Sequence, residues 1–241
     1  MGTLNKRKGM SDVRFAQPDD AEAIHLILQE VWGDSLLFDV FTDHISSPDH
    51  QVFVAVDAGE VAGFLAAFLI PEPIPRWEID TIIVRASSRG KGIGTSLIEE
   101  ALIYGSHLGA HWAKASIRVN NDASQRAFSK VSFTTDTQML SLLLWNPLAC
   151  ESATNGVEDV RFIPVNALTY RGLWIEGFVE SQLSVQEQCK VIRTAQSRIF
   201  DENRKNTSMF IPDSLKQNIA TDLLASATDY GQFHHWHHIF K

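Results

Sequence analysis

Hydrophobic residues follow two periods along the first part of the chain, and these periods predict where strands and helices lie. Alternating or continuous apolar runs predict strands over residues 12–16, 51–57, 61–70, 77–84, 112–119 and 137–145. Apolar residues spaced three and four apart predict a helix from about residue 21, a helix over 93–108 and a helix over roughly 122–130. A short helix or loop is expected over 36–45. This order predicts a mixed α/β sheet with a crossover helix between neighbouring strands.

The pattern is weaker beyond residue 150. A polar linker-like stretch, ESATNG, precedes a strand candidate over 160–165 and an apolar stretch over 173–179, and helices are predicted over 184–204 and 213–227. No internal repeat is visible in the sequence. We therefore expect a mobile tail (1–10), one α/β domain (11–149) and a smaller, mainly helical C-terminal extension of unknown role (150–241).

Charge and cysteine content narrow the classes of partner and compartment. The 29 acidic and 21 basic residues give a formal charge of −8, which disfavours a nucleic-acid or anionic-membrane surface and mildly favours a cationic substrate. The two cysteines, Cys150 and Cys189, form no disulfide framework, so a reducing compartment is expected. No apolar run approaches the ~20 residues of a membrane span. We expect a cytoplasmic protein without nucleic-acid or membrane partners.

The most informative segment joins the strand over 77–84 to the helix over 93–108. Its loop contains Gly90, Gly92 and Gly94, which let an anion approach the backbone without a clash with Cβ atoms. The first turn of the following helix has free N–H groups and a partial positive charge, and Arg89 and Lys91 add charge. The segment therefore predicts a phosphate-binding site, most simply for a diphosphate.

Two other glycine-loop motifs fit this segment less well. A dinucleotide-binding fingerprint needs a third glycine at Leu97, and a P-loop needs Ser or Thr after Lys91, where the chain has Gly92. A loop that is merely flexible would not require the strand, the charges and the helix to agree as they do here.

These residues resemble the GNAT superfamily of N-acetyltransferases. The run from Arg89 to Gly94 matches the pattern Arg/Gln-x-x-Gly-x-Gly/Ala of that family, after an Ile82-x-Val84 strand. A second match is an Asn-x5-Ala-x2-Lys-x2-Phe helix formed by Asn121, Ala127, Lys130 and Phe133. The resemblance covers about residues 12–145, and it implies a mostly antiparallel mixed sheet flanked by helices.

The resemblance also implies the co-substrate, acetyl-CoA, and the residues that hold it. The pantetheine arm would pair with the backbone near Ile82, Ile83 and Val84. The diphosphate would lie on the N–H groups of the loop and first turn, contributed by Arg89, Gly90, Lys91, Gly92, Ile93 and Gly94. Asn121 would contact the cofactor, with Ser124 nearby. No metal ion is implied.

The chemistry of acetyl transfer points to two acidic residues on the same strand. An alkyl amine with a pKa near 10.4 needs about 4–5 kcal/mol to lose its proton at neutral pH, so a nearby base helps. Strand alternation predicts that Glu78 and Asp80 lie on the same face as Ile82 and Val84. Many family members use a carboxylate on this strand as the base. The sequence favours Glu78 over Asp80, and the alternative is that one or both only bind the substrate ammonium or face solvent.

Two positions depart from the family pattern. Phe128 occupies the position where many members have a tyrosine that protonates the departing thiolate. Ser116 occupies the position where members that acetylate protein N-termini often have a glutamate. The phenylalanine argues against a side chain at this position that protonates the thiolate as it leaves. The serine weighs against protein N-termini as acceptors.

The sequence near residue 236 is rich in histidine: His234, His235, His237 and His238. This cluster is weak evidence for a metal site, because Trp236 separates the two pairs and no cysteine or carboxylate is close by in the sequence. We expect them to pack with Phe233 and Trp236 or to cover the acceptor site.

The sequence as a whole predicts an acetyl-CoA-dependent N-acetyltransferase that acts on a primary amine, preferentially of a small molecule. Two alternatives stay open: acetylation of a protein lysine or N-terminus, and a degenerate acyl-CoA-binding regulator without catalysis. A homodimer is possible.

Overall fold

The computed structural model describes residues 12–150 and 159–241. The predicted mobile tail and the polar linker lie outside the described residues. The strands are β1 (Asp12–Phe15), β2 (His50–Asp57), β3 (Glu60–Ile70), β4 (Arg76–Val84), β5 (Trp112–Arg118), β6 (Thr134–Thr135), β7 (Leu140–Trp145), β8 (Arg161–Ala167), β9 (Tyr170–Glu176), β10 (Asn206–Pro212) and β11 (Thr228–Ile239). The helices are α1 (Ala21–Trp32), α2 (Phe38–Ser46), α3 (Ile93–His107), α4 (Asp122–Lys130), α5 (Val185–Asp201) and α6 (Thr221–Ser226).

The strands form one mixed sheet with helices on both faces. Its order is β1-β2-β3-β4-β5-β11-β7-β10-β9-β8, with β6 beside β11. Among the described residues, β4 with β5 and β9 with β10 are parallel pairs, and the other neighbours are antiparallel. The mixed, mostly antiparallel α/β fold class expected from the sequence is confirmed.

The part of the chain before residue 150 follows the sequence-based elements closely. β2 and β3 form the predicted hairpin, and α3 crosses over from β4 to β5. The apolar face of α3 packs on one side of the sheet, where Leu97, Ile98 and Ala101 are fully buried against Trp77 and Ile79. Helix α1 covers the opposite side with Ile24, Ile27 and Leu28. The sheet therefore has a buried core on each face in this part.

The part of the chain beyond residue 159 repeats this arrangement. β8 and β9 form a hairpin, α5 crosses over, and β10 pairs with β9 in parallel, just as β3, β4, α3 and β5 do. The prediction of a mainly helical extension is therefore wrong, because four strands from this part of the chain, β8 to β11, continue the sheet. The repeat is one of architecture, since the two parts share no visible repeat in sequence.

The two parts exchange one strand each. β5 does not pair with β7, the next long strand in the sequence, but with β11 from the second part. In return β10 of the second part pairs with β7 of the first. β7 and β11 also pair with each other at the centre of the sheet. The C-terminal strands thereby complete the sheet beside β5, next to the predicted site.

Candidate active site

A wedge between β4 and β5 opens next to the glycine-rich loop. The two parallel strands pair from Arg76 with Trp112 to Ile79 with Ala115, and then they diverge. Beyond that point β5 pairs with β11 on its other side, while the edge of β4 over residues 80–84 has no strand partner facing β5 among the described residues. The wedge thus presents free backbone N–H and C=O groups, which an extended ligand can pair with as a strand would.

A β-bulge marks the start of the wedge. Ala66 of β3 pairs with Thr81, whereas Ala67 pairs with Ile79, so Asp80 is an extra residue in β4. Ile79 lies on the α3 side of the sheet, and after the bulge Ile82 packs against this same core. Glu78 therefore lies on the opposite face of the sheet from Ile82 and Val84. The prediction that Glu78 shares a face with these residues is wrong, because the extra residue shifts the alternation of side chains.

Asp80 is the less constrained of the two candidate bases. Its side chain is half-buried, and Oδ2 accepts a hydrogen bond of 2.8 Å from the hydroxyl of Thr81. Burial, together with the charge of Glu78, raises the pKa of Asp80 to about 6. A carboxylate with a pKa close to neutrality is ionised at pH 7 and accepts a proton more readily than an ordinary aspartate.

Glu78 is buried within a network of charges. One of its oxygens accepts a 3.1 Å hydrogen bond from Nε of Arg76, and the other lies 3.8 Å from Nζ of Lys114. Arg76 also pairs with Glu176 of β9, and Glu176 accepts a 2.8 Å hydrogen bond from Arg161 of β8. Burial raises the pKa of Glu78, and the two neighbouring cations oppose that shift. The network joins the two parts of the chain and holds Glu78 in place.

We expect Glu78→Gln to lower the free energy of unfolding by about 3–5 kcal/mol, because it leaves Lys114 buried without a carboxylate partner. Urea denaturation followed by far-ultraviolet circular dichroism measures this change. Glu99→Gln, an exposed position on α3, is the control and should change the free energy by less than about 0.5 kcal/mol. A Glu78→Gln protein of wild-type stability that has lost turnover would instead support Glu78 as the base.

The loop after β4 leads into α3 with an uncapped N-terminus. Gly90 and Gly92 have backbone φ values of +80° and +83°, which residues other than glycine rarely adopt. A Cβ atom at either position would meet no atom of residues 12–150 and 159–241 within 4 Å. Gly92 supplies no side chain to cap the helix, whereas α4 and α5 are capped by Asn121 and Ser184. The first-turn N–H groups of α3 therefore face open space, as an anion-binding site requires.

Residues 19–133 match the model of the Acetyltransferase (GNAT) family. This part of the chain belongs to that family. A curated relative, the L-2,4-diaminobutyric acid acetyltransferase of Shouchella clausii, is 36% identical over 95 residues, which are 39% of this chain and 53% of the relative. The chain thus spans about half the length of that relative.

Solved structures extend the comparison of folds. The glucosamine N-acetyltransferase region of a fungal multi-domain GH3 β-N-acetylglucosaminidase aligns with a TM-score of 0.59 and 11% identity, over 96% of this chain and 38% of the fungal one. The yncA protein of Salmonella typhimurium, solved with its cofactor acetyl-CoA, aligns with a TM-score of 0.46 and 21% identity, over 54% of this chain and 83% of that one. The fungal alignment shows that a known fold accommodates both parts of the chain.

The other predicted cofactor residues of the GNAT domain lie around the wedge and the loop. Nε of Arg89 donates to the carbonyl of Val84 at 3.1 Å, and Nζ of Lys91 lies 2.6 Å from a carboxylate oxygen of Asp57. Ile93 is buried, so only its backbone is available to a ligand. Ile83 is buried on the α1 side, while Ile82 and Val84 are half-buried on the α3 side.

The N-terminus of α4 lies at the end of β5. The Asn121 side chain accepts a 3.1 Å hydrogen bond from the N–H of Ser124, so these two predicted residues are in direct contact. Phe128 is buried and packs edge-on against Phe133, with ring centroids 4.9 Å apart. No hydroxyl is available at that position of the GNAT domain for protonating a thiolate.

A cavity of about 360 Å³ lies against the sheet, where the GNAT domain meets the strands of the second part. Its lining includes Lys114, Trp174, Glu176, Ser208, Phe210 and His235. The hydroxyl of Tyr170 donates a 2.9 Å hydrogen bond to Oδ1 of Asn206, and burial together with the charge of Asp80 raises the pKa of Tyr170 to about 12. Arg76 and Lys114 also line the cavity, so it lies beside the paired ends of β4 and β5 where the wedge begins.

Apart from His235, one of the histidines expected to pack with Phe233 and Trp236 or to cover the acceptor site, the residues around this cavity were absent from the sequence-based site. Polar side chains at interior strand positions, in RWEID and WAKAS, are the signal that could have indicated Arg76 and Lys114. Glu176, Tyr170 and His235 come from strands whose place in the sheet no local pattern shows.

The histidine-rich segment is β11, in the middle of the sheet. Trp236 pairs with Ala115 and belongs to the core beneath α3, whereas His235 pairs with Ser116 and lines the cavity. Alternation places His234 and His238 on the face of Trp236, and His237 on the face of His235. The four side chains are thus divided between the two faces.

Among residues 12–150 and 159–241, no helix is both long and apolar enough to cross a membrane.

Proposed function

We propose that the protein is an acetyl-CoA-dependent N-acetyltransferase that transfers an acetyl group to a primary amine of a small molecule. The observation that carries this proposal is a convergence of three features on one point. The uncapped N-terminus of α3, the unpaired edge of β4 and the raised-pKa carboxylate of Asp80 all border the wedge.

The residues present fit acetyl-CoA. The open space above Gly90 and Gly92, bordered by first-turn N–H groups of α3, suits the diphosphate. The free edge of β4 over residues 80–84 suits the amides of the pantetheine arm, with Asn121 and Ser124 on the opposite side of the wedge. When bound, acetyl-CoA supplies a thioester whose carbonyl carbon a neutral amine can attack.

The chain's own contribution is to hold the amine and to take its proton. An acceptor ammonium beside Asp80 is stabilised by the carboxylate and can then lose a proton to it. The half-buried position of Asp80 keeps its basicity higher than that of an exposed aspartate. The structure thus favours Asp80 as the base, whereas the sequence favours Glu78, and the two predictions are separated by experiment below.

No side chain of α4 is needed for departure of the thiolate. A thiol with a pKa near 8.5 is a good leaving group, and water can protonate it after departure. The buried ring of Phe128 is compatible with such a mechanism.

A small acceptor is supported by the cavity, which holds about 360 Å³ and is bordered by strands of both parts of the chain. The curated relative is described as acting on a diamino acid, so L-2,4-diaminobutyrate is the first acceptor to test.

The test combines the purified protein with acetyl-CoA and a panel of amines, and measures thiol release together with the mass of the acetylated product. We expect turnover with at least one small primary amine and much weaker turnover with lysine-containing peptides. Preferred acetylation of peptides would support a protein acetyltransferase, and acetyl-CoA binding without transfer to any amine would support a regulator.

A further inference from the structure

The ammonium group of Lys114 is buried at the cavity and forms no hydrogen bond with the described residues. Only 6% of the residue is exposed, and the nearest carboxylate oxygen, on Glu78, is 3.8 Å away. Otherwise Nζ faces the rings of Trp174 and Phe210, whose centroids lie 5.8 and 5.6 Å from it. A buried ammonium with unused donors is costly unless a ligand accepts from it.

Two other polar atoms next to Lys114 also lack partners. Nε2 of His235 and Oγ of Ser116 are buried and form no hydrogen bond within the described part of the chain. His235 pairs with Ser116 across β11 and β5, and Lys114 and Ser116 are two residues apart on β5. These three side chains therefore project from the same face of the sheet.

The carboxylates around the cavity are engaged mainly by arginines. Arg76, Lys114 and Arg161 are three cations, while Glu78 and Glu176 are two carboxylates that the arginines already use. The remaining lining carboxylate, Glu180, is exposed to solvent. Burial lowers the pKa of His235 to about 2, so this ring is neutral. Since Arg76 hydrogen-bonds both carboxylates directly, Lys114 is the buried cation that a ligand carboxylate could engage with a short hydrogen bond.

We propose that Lys114, His235 and Ser116 bind a carboxylate of the acceptor, and hence that the acceptor is an amino acid rather than a simple amine. The ammonium of Lys114 and the hydroxyl of Ser116 donate to the carboxylate, and the Nε2–H tautomer of His235 adds a third donor. This inference rests on the proposed acetyltransferase function.

The position of Lys114 is compatible with an amine at Asp80. Lys114 pairs in register with Glu78, and Asp80 follows two residues later, on the order of 7 Å along the strand. A short amino acid held by its carboxylate at Lys114 can therefore place a side-chain amine near Asp80. The acceptor would be bound at both ends, which fixes which of its amines is acetylated.

Matched acceptor pairs test the inference. L-2,4-Diaminobutyrate and 1,3-diaminopropane carry the same two amines and differ only in the carboxylate, as do L-ornithine and putrescine. With the wild-type protein we expect kcat/KM to favour the amino acid of at least one pair by about 10–100-fold, the range of one strong charged hydrogen bond.

Lys114→Met should reduce this preference to less than about threefold, mainly through a higher KM for the amino acid. Lys205→Met, at an exposed lysine, is the control and should retain the preference. His235→Phe keeps an aromatic ring but removes Nε2, and should lower the preference by about fivefold. If Lys114→Met does not fold, the His235→Phe variant tests the proposal by itself.

The outcomes separate the two proposals. Equal or better wild-type turnover of the diamines would overturn the carboxylate site and leave the acetyltransferase function standing. An amino-acid preference that survives in both folded Lys114→Met and His235→Phe would also overturn it. Acetyl-CoA binding without acetylation of any amine would overturn the acetyltransferase function, and the carboxylate site with it.

Discussion

Gly92→Val should weaken acetyl-CoA binding by about 100-fold or more, while the protein remains folded. The φ of +83° at Gly92 directs a new Cβ into the space beside the first turn of α3, where the diphosphate is proposed to lie. Branched methyl groups there would block phosphate oxygens from the N–H groups. Isothermal titration calorimetry with acetyl-CoA measures the loss directly.

The control for this variant is Gly109→Val, at the other end of α3. Gly109 has a φ of +78° and equally open surroundings, so valine brings the same backbone strain of about 1–2 kcal/mol. The two variants should show similar decreases in melting temperature, and only Gly92→Val should lose the ligand. Wild-type affinity in a folded Gly92→Val protein would refute the assignment of the loop as the diphosphate site.

Asp80→Asn should lower kcat by about 10²–10³ without a change in acetyl-CoA affinity. The amide keeps the size of the side chain and its contact with Thr81, but it no longer accepts the proton of the amine. Steady-state kinetics with the preferred acceptor, combined with calorimetry of acetyl-CoA binding, separates this catalytic loss from a loss of cofactor binding.

The pH dependence provides a sharper test of Asp80. Its pKa is raised to about 6, so the carboxylate is the base above this pH and becomes protonated below it. In the wild type kcat/KM should fall as the pH decreases through about 6, and this fall should be absent in Asp80→Asn. If the fall persists in Asp80→Asn but disappears in Glu78→Gln, Glu78 is the base, as the sequence favours.

The first part of the fold could be predicted because its signals are local. The loop from Arg89 to Gly94 carries its function in residue type and spacing, and the period of α3 and the β2–β3 hairpin is clear in the sequence. Such signals depend on neighbours within a few residues, so they survive without knowledge of the tertiary structure.

The orientation of the acidic residues could not be predicted, because it depends on one extra residue. WEIDTIIV reads as an uninterrupted alternating strand, and nothing in it marks Asp80 as a bulge. The bulge is fixed by the pairing of β4 with β3 and by the divergence of β4 from β5. Because of the bulge, every residue of β4 after Asp80 lies on the opposite face of the sheet from the face that simple alternation predicts from the residues before it.

The strands β10 and β11 were missed for a different reason. The segment of β11 has histidines on both faces, because one face lines a polar cavity while the other contributes Trp236 to the core. β10 follows directly after a charged stretch, DENRK. Their place beside β5 and β7 follows from pairing between distant residues, which periodicity does not reveal.

The exchange of β7 and β11 has a consequence for synthesis of the chain. Arg118 of β5 pairs with Phe233, which is added 115 residues later. At about 5–20 residues per second, the ribosome needs roughly 6–23 seconds to cover this interval. During that time the nascent GNAT domain exposes the long edge of β5 to the other polypeptides and chaperones of the cell. Speed of translation, and not only the sequence, therefore determines how long this edge is open to aggregation.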